Sequence, residues 1–276
     1  MPVNGKPRDN ITISDRGLAY GDGVFETIRI HAHKPVLLER HLERLAKGTR
    51  RLQIPLEQSL LEQDIAQLTT EFPAQGILKI IVTRGSGGRG YVPGAAPTPS
   101  RILSLHELPD YSSTQPGKGI QAFVCRQRLA IQPALAGIKH LNRLEQVLAS
   151  LEWPNPGFME GLMLDMNDHV VEGTRSNVFW AESGRLMTPV LTGSGVAGTL
   201  RNHIIDTMQD VVEVEGCTLA RLCSADEVFF CNSINGVWPV NTLVAGETHT
   251  DFGRLKRRFS ESCTDLFDSL LANQDI

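Results

Sequence analysis

The chain has 276 residues, 41% of them hydrophobic and 21% charged, so it can bury a core and does not read as disordered. At about 150 residues per domain this length predicts two units. A formal net charge of -4 argues against a protein that wraps nucleic acid. No apolar run approaches the roughly 20 residues of a membrane span. The polar first ten residues carry no signal-peptide core, so the expected compartment is the cytoplasm.

Residues 14–17 and 20–23 are turn chemistry. Residues 24–30 then alternate apolar and polar, which predicts a half-buried strand. Leu38, Leu42, Leu45 and Leu52 predict an amphipathic helix over 37–52, and Leu61, Ile65 and Leu68 a second. Strands are expected over 77–83 and 101–105, separated by the Gly- and Pro-rich stretch 85–99. The polar segment 109–119, with its prolines and glycines, reads as a linker. Beyond it a strand is expected over 120–125. Leu141, Leu144, Leu148 and Leu151 put an apolar face on a helix that ends before Pro154. Further strands are expected over 161–165, 177–181, 211–214 and 227–231, and helices over 200–208 and 252–271. The expectation is a mixed α/β (α+β) chain. Its domains would be 1–108 and 120–276, joined by the linker 109–119.

The five cysteines, Cys125, Cys217, Cys223, Cys231 and Cys263, form no C-x-x-C pair. The eight histidines show no H-E-x-x-H spacing. Buried or half-buried thiols are therefore expected, with neither a disulfide framework nor a metal.

Gly193-Ser-Gly-Val-Ala-Gly198 matches G-x-G-x-x-G before a predicted helix, with Glu213 and Glu215 downstream. A glycine turn at a helix start exposes backbone N–H groups where the helix dipole favours an anion. An ordinary glycine turn would look the same, and Pro189 just before it is poor for the central strand of a dinucleotide fold. A second glycine-rich stretch, Arg84 to Tyr91, carries arginines that could grip carboxylates or form a solvated loop. Lys139 follows the apolar Leu135-Ala-Gly-Ile138. Desolvation there would favour a neutral amine able to act as nucleophile or base, unless the side chain reaches back to water.

Several blocks resemble the fold-type IV pyridoxal-phosphate enzymes, a group that includes branched-chain aminotransferases, D-amino-acid transaminases and aminodeoxychorismate lyases. They are Asp15-Arg-Gly17, Tyr20-Gly-Asp-Gly-Val-Phe-Glu26, His41-Leu-Glu-Arg-Leu45, Ala136 to Val147, Glu172-Gly-Thr-Arg-Ser-Asn-Val-Phe179, Ala225 to Phe229 and Asn232-Ser233. The resemblance implies a two-domain architecture with pyridoxal 5'-phosphate at the domain interface and Lys139 on the C-terminal domain. It implies that Lys139 is joined to the cofactor and that Glu172 pairs with its pyridine nitrogen. Arg44, the N–H groups of Thr199 and Leu200, and Ser233 would hold its phosphate. It further implies a small-molecule substrate and a homodimer, while charge and hydropathy predict neither a nucleic-acid nor a membrane partner.

Within the group, Arg84 to Tyr91 and Lys139 to Gln146 are most similar to the aminodeoxychorismate lyases. Those release 4-aminobenzoate and pyruvate by C4 proton abstraction and β-elimination in folate biosynthesis. A D-amino-acid or branched-chain aminotransferase is the alternative on the same scaffold. Arg84, Arg89 and Arg143 are the candidates for the substrate carboxylates, and Asn232 and Thr27 the candidates for lining the pocket.

Overall fold

The structure, a computed structural model, describes residues 1–8, 10–109, 119–252 and 257–274. Most of the expected linker, residues 110–118, lies outside the described residues. The described residues fall into two units. Residues 1–109, 138–142 and 270–274 belong to the first, and 119–137 and 143–269 to the second. Lys139, expected on the C-terminal domain, therefore belongs to the first unit.

The first unit begins with the short strands β1 (Pro2–Val3) and β2 (Lys6–Pro7). The turn at Ser14 becomes α1 (Arg16–Tyr20), because the Asp15 carboxylate caps it by accepting the Gly17 N–H at 2.8 Å. The same carboxylate accepts hydroxyls from Thr83 at 3.0 Å and Ser100 at 2.7 Å, which fixes the helix start to the sheet. After β3 (Gly23–His31) and β4 (Lys34–Pro35) come α2 (Leu38–Arg51) and α3 (Gln58–Leu68). Strands β5 (Gln75–Thr83) and β6 (Ser100–His106) complete an antiparallel sheet ordered β2-β1-β6-β5-β3-β4. Period-2 alternation turns Val24, Ile28 and Ile30 of β3 to one face, where they pack with Leu45, Leu61, Leu78, Ile80 and Leu103. Each such side chain, fully buried, contributes about 1.5–3 kcal/mol.

The second unit contains β7 (Ile120–Leu129), α4 (Leu144–Ser150), β8 (Phe158–Asp165), β9 (Val170–Gly173), β10 (Asn177–Glu182) and β11 (Arg185–Pro189). Then follow α5 (Thr199–Thr207), β12 (Val212–Val214), α6 (Leu219–Cys223), β13 (Glu227–Asn232), β14 (Gly236–Ala245) and β15 (Thr248–Asp251). The last helix is α7 (Arg258–Ala272). The sheet runs β12-β11-β10-β13-β14-β7-β8-β9, and β9 also pairs with β10 through Glu172 and Asn177. That pairing closes β10, β13, β14, β7, β8 and β9 into a barrel. Leu162, Val178, Trp180, Phe230, Trp238 and Val240 belong to one buried cluster that these strands share.

Several expectations change. The helix expected around Leu141 to Leu151 is only α4, whose inward residue is the small Ala149, while Leu144, Leu148 and Leu151 are 75%, 50% and 77% exposed. Their apolar stripe faces out of the chain. The helix expected over 252–271 begins at Arg258, and Phe252 is buried outside it. Strand β9 escapes a periodicity reading because all four of its residues are buried, which erases alternation. Among the described residues no helix is long and apolar enough to cross a membrane, and no cluster of His, Cys, Asp and Glu could hold a metal.

Four of the five thiols are buried and Cys223 is half-buried. Burial pushes Cys217 up to about 11 and Cys125 and Cys263 up to about 12, so their thiolates are scarce. A thiol reagent in mildly alkaline buffer is expected to label Cys223 alone in the native protein and all five cysteines after unfolding. Two or more fast thiols in the native protein would contradict this packing.

Candidate active site

In the first unit, residues 138–142 run beside β3, bridged at Val24 and His140. The Lys139 carbonyl accepts the Phe25 N–H at 2.9 Å, and the Leu141 N–H donates to the Gly23 carbonyl at 2.9 Å. The Lys139 ammonium lies 4.5 Å from the centroid of the Phe25 ring. Thr27, two residues further along β3, shares the face of Phe25.

Glu26 points to the opposite, buried face, among Val24, Ile28 and Ile30, and is 0% exposed. Its carboxylate is met from α2. Arg44 donates from Nε to Oε1 at 2.8 Å and from Nη2 to Oε2 at 2.5 Å. His41 Nδ1 lies 2.6 Å from Oε2. An ionised carboxylate only accepts, so Nδ1 carries the hydrogen. Burial by itself would raise the Glu26 pKa, but the charge and hydrogen bonds of Arg44, with help from His41, outweigh it and bring it down to about 2. Burial also holds His41 below its ordinary value, against the pull of Glu26.

The Arg84 guanidinium is engaged within its own unit. It donates to both Asp22 oxygens at 2.7 and 2.9 Å and to the carbonyls of Gln53 and Leu52, each at 2.7 Å. Arg16 shares Asp22 at 2.9 Å and ties down the carbonyls of Gly90 and Tyr91. This geometry gives Arg84 to the base of the glycine-rich loop rather than to a substrate carboxylate. Arg89 is exposed on that loop, where its backbone pairs with Val92.

In the second unit, Glu172 lies on β9 and is 4% exposed. Its Oε2 accepts the Val196 N–H at 2.7 Å, and its Oε1 accepts from the Gln146 amide at 3.4 Å. Arg143 lies close enough for Glu172 to act on it. Burial lowers the guanidinium's pKa, while Glu172 and Glu145 raise it. The glycine-rich loop before α5 wraps the Glu172 carboxylate. Gly195 has φ +81°, and a Cβ there would come 2.8 Å from Val171 and 3.2 Å from Glu172 Oε2. A Cβ on Gly198 would strike Asn177 Oδ1 at 2.0 Å. Asn177 in turn donates to the Val196 carbonyl at 2.8 Å, and Gly137 exchanges backbone bonds with Gly195 and Ala197. Gly198 caps α5 without a side-chain hydrogen bond, so the helix starts on the buried Thr199 and Leu200 with its dipole aimed at the loop. Ser233 is buried in the turn after β13. Asn232 holds that turn, its Oδ1 accepting the N–H groups of Ile234 and Asn235 at 2.9 and 2.8 Å. The turn accounts for Asn232.

The chemistry of these groups fits the cofactor that the sequence resemblance implies. The Glu172 carboxylate, which accepts hydrogen bonds on both oxygens, is the kind of acceptor a pyridine N–H requires. The start of α5 suits a monophosphate. Sequence reading missed Glu26 and His41 as a unit, Gln146 on Glu172, and Asn177 behind the loop. Glu26 did carry a signal, as a carboxylate in the apolar phase of an alternating strand.

A closed barrel with a buried carboxylate under a glycine-bounded helix start in the second unit, and a lysine beside β3 in the first, are features expected of a pyridoxal-phosphate enzyme of fold type IV. The profile of the amino-transferase class IV family matches residues 23–243, and the chain belongs to that family, whose members are pyridoxal-phosphate-dependent. It is 39% identical to an aminodeoxychorismate lyase of Vibrio harveyi, over 93% of this chain and 96% of that one. It superposes on 4-amino-4-deoxychorismate lyase from Pseudomonas aeruginosa with a TM-score of 0.88 and 44% identity, covering 99% of each chain. To a branched-chain-amino-acid aminotransferase of Escherichia coli K12 it is 28% identical, over 84% of this chain and 80% of that one.

Gly198→Ala is expected to cost about 1–3 kcal/mol by forcing a methyl against Asn177. An unchanged urea midpoint would show that the loop relaxes without cost. Glu26 yields a pH prediction. A carboxylate lowered from 4.5 to about 2 adds stability that is complete above its unfolded value and fades as pH falls through that window. The stability gap between wild type and Glu26→Gln is therefore expected to narrow in urea titrations below pH 4.5. A gap that stays constant with pH would refute the charged pair.

Proposed function

We propose that the chain is an aminodeoxychorismate lyase, converting 4-amino-4-deoxychorismate to 4-aminobenzoate and pyruvate. The observation that carries this reading is the likeness to two such lyases, at 39% and 44% identity, across nearly the whole of each chain. Lys139 supplies the reacting amine. Glu172 holds the pyridine nitrogen of the cofactor, and Arg44, the backbone N–H groups of Thr199 and Leu200, and the Ser233 hydroxyl hold its phosphate. When bound, the cofactor would supply an electron sink for the negative charge that develops at the substrate's C4. The Lys139 amine takes the C4 proton, the C3–O bond breaks, and the ring becomes aromatic. The enolpyruvyl fragment leaves with the electron pair of that bond and takes up one proton to become pyruvate. Protonated Lys139 lies in the same chemistry and returns that proton, a base turned acid. Arg143, Arg89 and Thr27 are the contacts proposed for the substrate.

A homodimer in the cytoplasm completes the reading. Its support is the outward apolar stripe of Leu144, Val147, Leu148 and Leu151, which water covers poorly. Sedimentation is expected to show a dimer that Leu148→Lys with Leu151→Lys turns into a monomer. A wild-type monomer would remove this part of the proposal.

Purified protein given aminodeoxychorismate is expected to release pyruvate with no keto-acid acceptor, and Lys139→Ala to release none above background. Brisk transamination of D-alanine or leucine with no pyruvate release would assign the chain to the aminotransferases instead.

A further inference from the structure

Glu26 is an ionised carboxylate in an apolar core, and the mechanism above does not use it. Such a group is costly to bury unless its partners are well placed. Here they are. Two nitrogens of one guanidinium and one imidazole N–H meet its two oxygens within 2.5 to 2.8 Å. A bidentate pair fixes the plane of a guanidinium, and therefore the direction of its third nitrogen, Nη1. Arg44 would otherwise be a long side chain with several rotamers, reaching from α2. His41, one turn earlier on the same helix and 0% exposed, fixes the carboxylate in turn. With burial keeping His41 toward its neutral form, the cluster holds one negative and one positive charge. An arrangement that only added positive charge for an anion would omit the carboxylate. This one gives up net charge and gains direction.

We propose that Glu26 is a positioning residue that sets Arg44 for the cofactor's phosphate, with His41 as the support of Glu26. The inference rests on the assignment of Arg44 to the phosphate made above. The ordering of Arg44 takes place on folding rather than on binding, so that less of the binding energy is lost to it. The position is specified by the sheet. Glu26 is in phase with Val24, Ile28 and Ile30, and moving it by one residue would turn it to the Phe25 face.

The test compares two ligands on the apoenzyme, pyridoxal 5'-phosphate and pyridoxal, which lacks the phosphate. Affinities are read by equilibrium dialysis for wild type, Glu26→Gln, Arg44→Ala and the double variant. The ratio of the two affinities isolates the phosphate, because a general loosening of the fold weakens both ligands together. Glu26→Gln is expected to lower the phosphate preference by about tenfold or more, the scale of one charge-assisted hydrogen bond. The double variant is expected to lose no more than Arg44→Ala alone, since one residue acts through the other. If Glu26→Gln does not fold, Glu26→Asp, which keeps the charge but shortens the reach, is measured in the same way. A normal phosphate preference in the folded Glu26 variant, with the preference lost in Arg44→Ala, overturns the role of Glu26 and leaves the phosphate assignment standing. A normal preference in Arg44→Ala overturns both.

Discussion

The second unit depends on one strand pairing. Glu172 and Asn177 face each other where β9 meets β10, and without that contact the sheet has two open ends instead of a closed barrel. Closure puts β9 between neighbours on both sides, which is why all four of its residues are buried, the carboxylate included. A buried carboxylate needs donors, and the glycine loop provides one from Val196 while Gln146 provides another. Asn177, the other half of the closing pair, holds the Val196 carbonyl. The contact that closes the barrel therefore also shapes the ring-nitrogen and phosphate ends of the proposed cofactor site. Gly195 and Gly198 are required by the same crowding, because any side chain would separate the loop from the residues it wraps.

The first unit uses a simpler device, the two-residue period of β3. One face of that strand carries Glu26 to Arg44 and His41, and the other carries Phe25 beneath the Lys139 amine. The strand thus presents two unlike side-chain environments without a change of backbone. The arginines nearby are sorted by their partners. Arg16 and Arg84 share Asp22 and close the glycine-rich loop, while Arg44 is turned toward a different carboxylate.

Much of this was legible in the sequence. Strand β3, helices α2 and α3 and strands β5 and β6 follow their apolar periods closely, because each has one face in the core and one outside. Lys139, Glu172 and the helix start at Thr199 stand in motifs, and the roles proposed for them rest on family resemblance rather than on periodicity. What escaped was set by tertiary context. Strand β9 has no alternation to read. The leucines of α4 have helical spacing, yet they point outward, because periodicity identifies an apolar face but not what covers it. Arg84 looked like a ligand for a substrate, since sequence cannot show that Asp22, Leu52 and Gln53 already take up its donors.

The pairing of β7 with β14 has a consequence in time. It sets Ile120 beside Val240 in parallel, across some 120 intervening positions of chain. Contacts so distant in sequence form slowly, since a long loop must close before they are rewarded. Hairpins such as β13 with β14 can appear early. The barrel can only be sealed after its remote strands have met. On the ribosome, the strands of the second unit must wait for β14 before the barrel that includes β9 is whole.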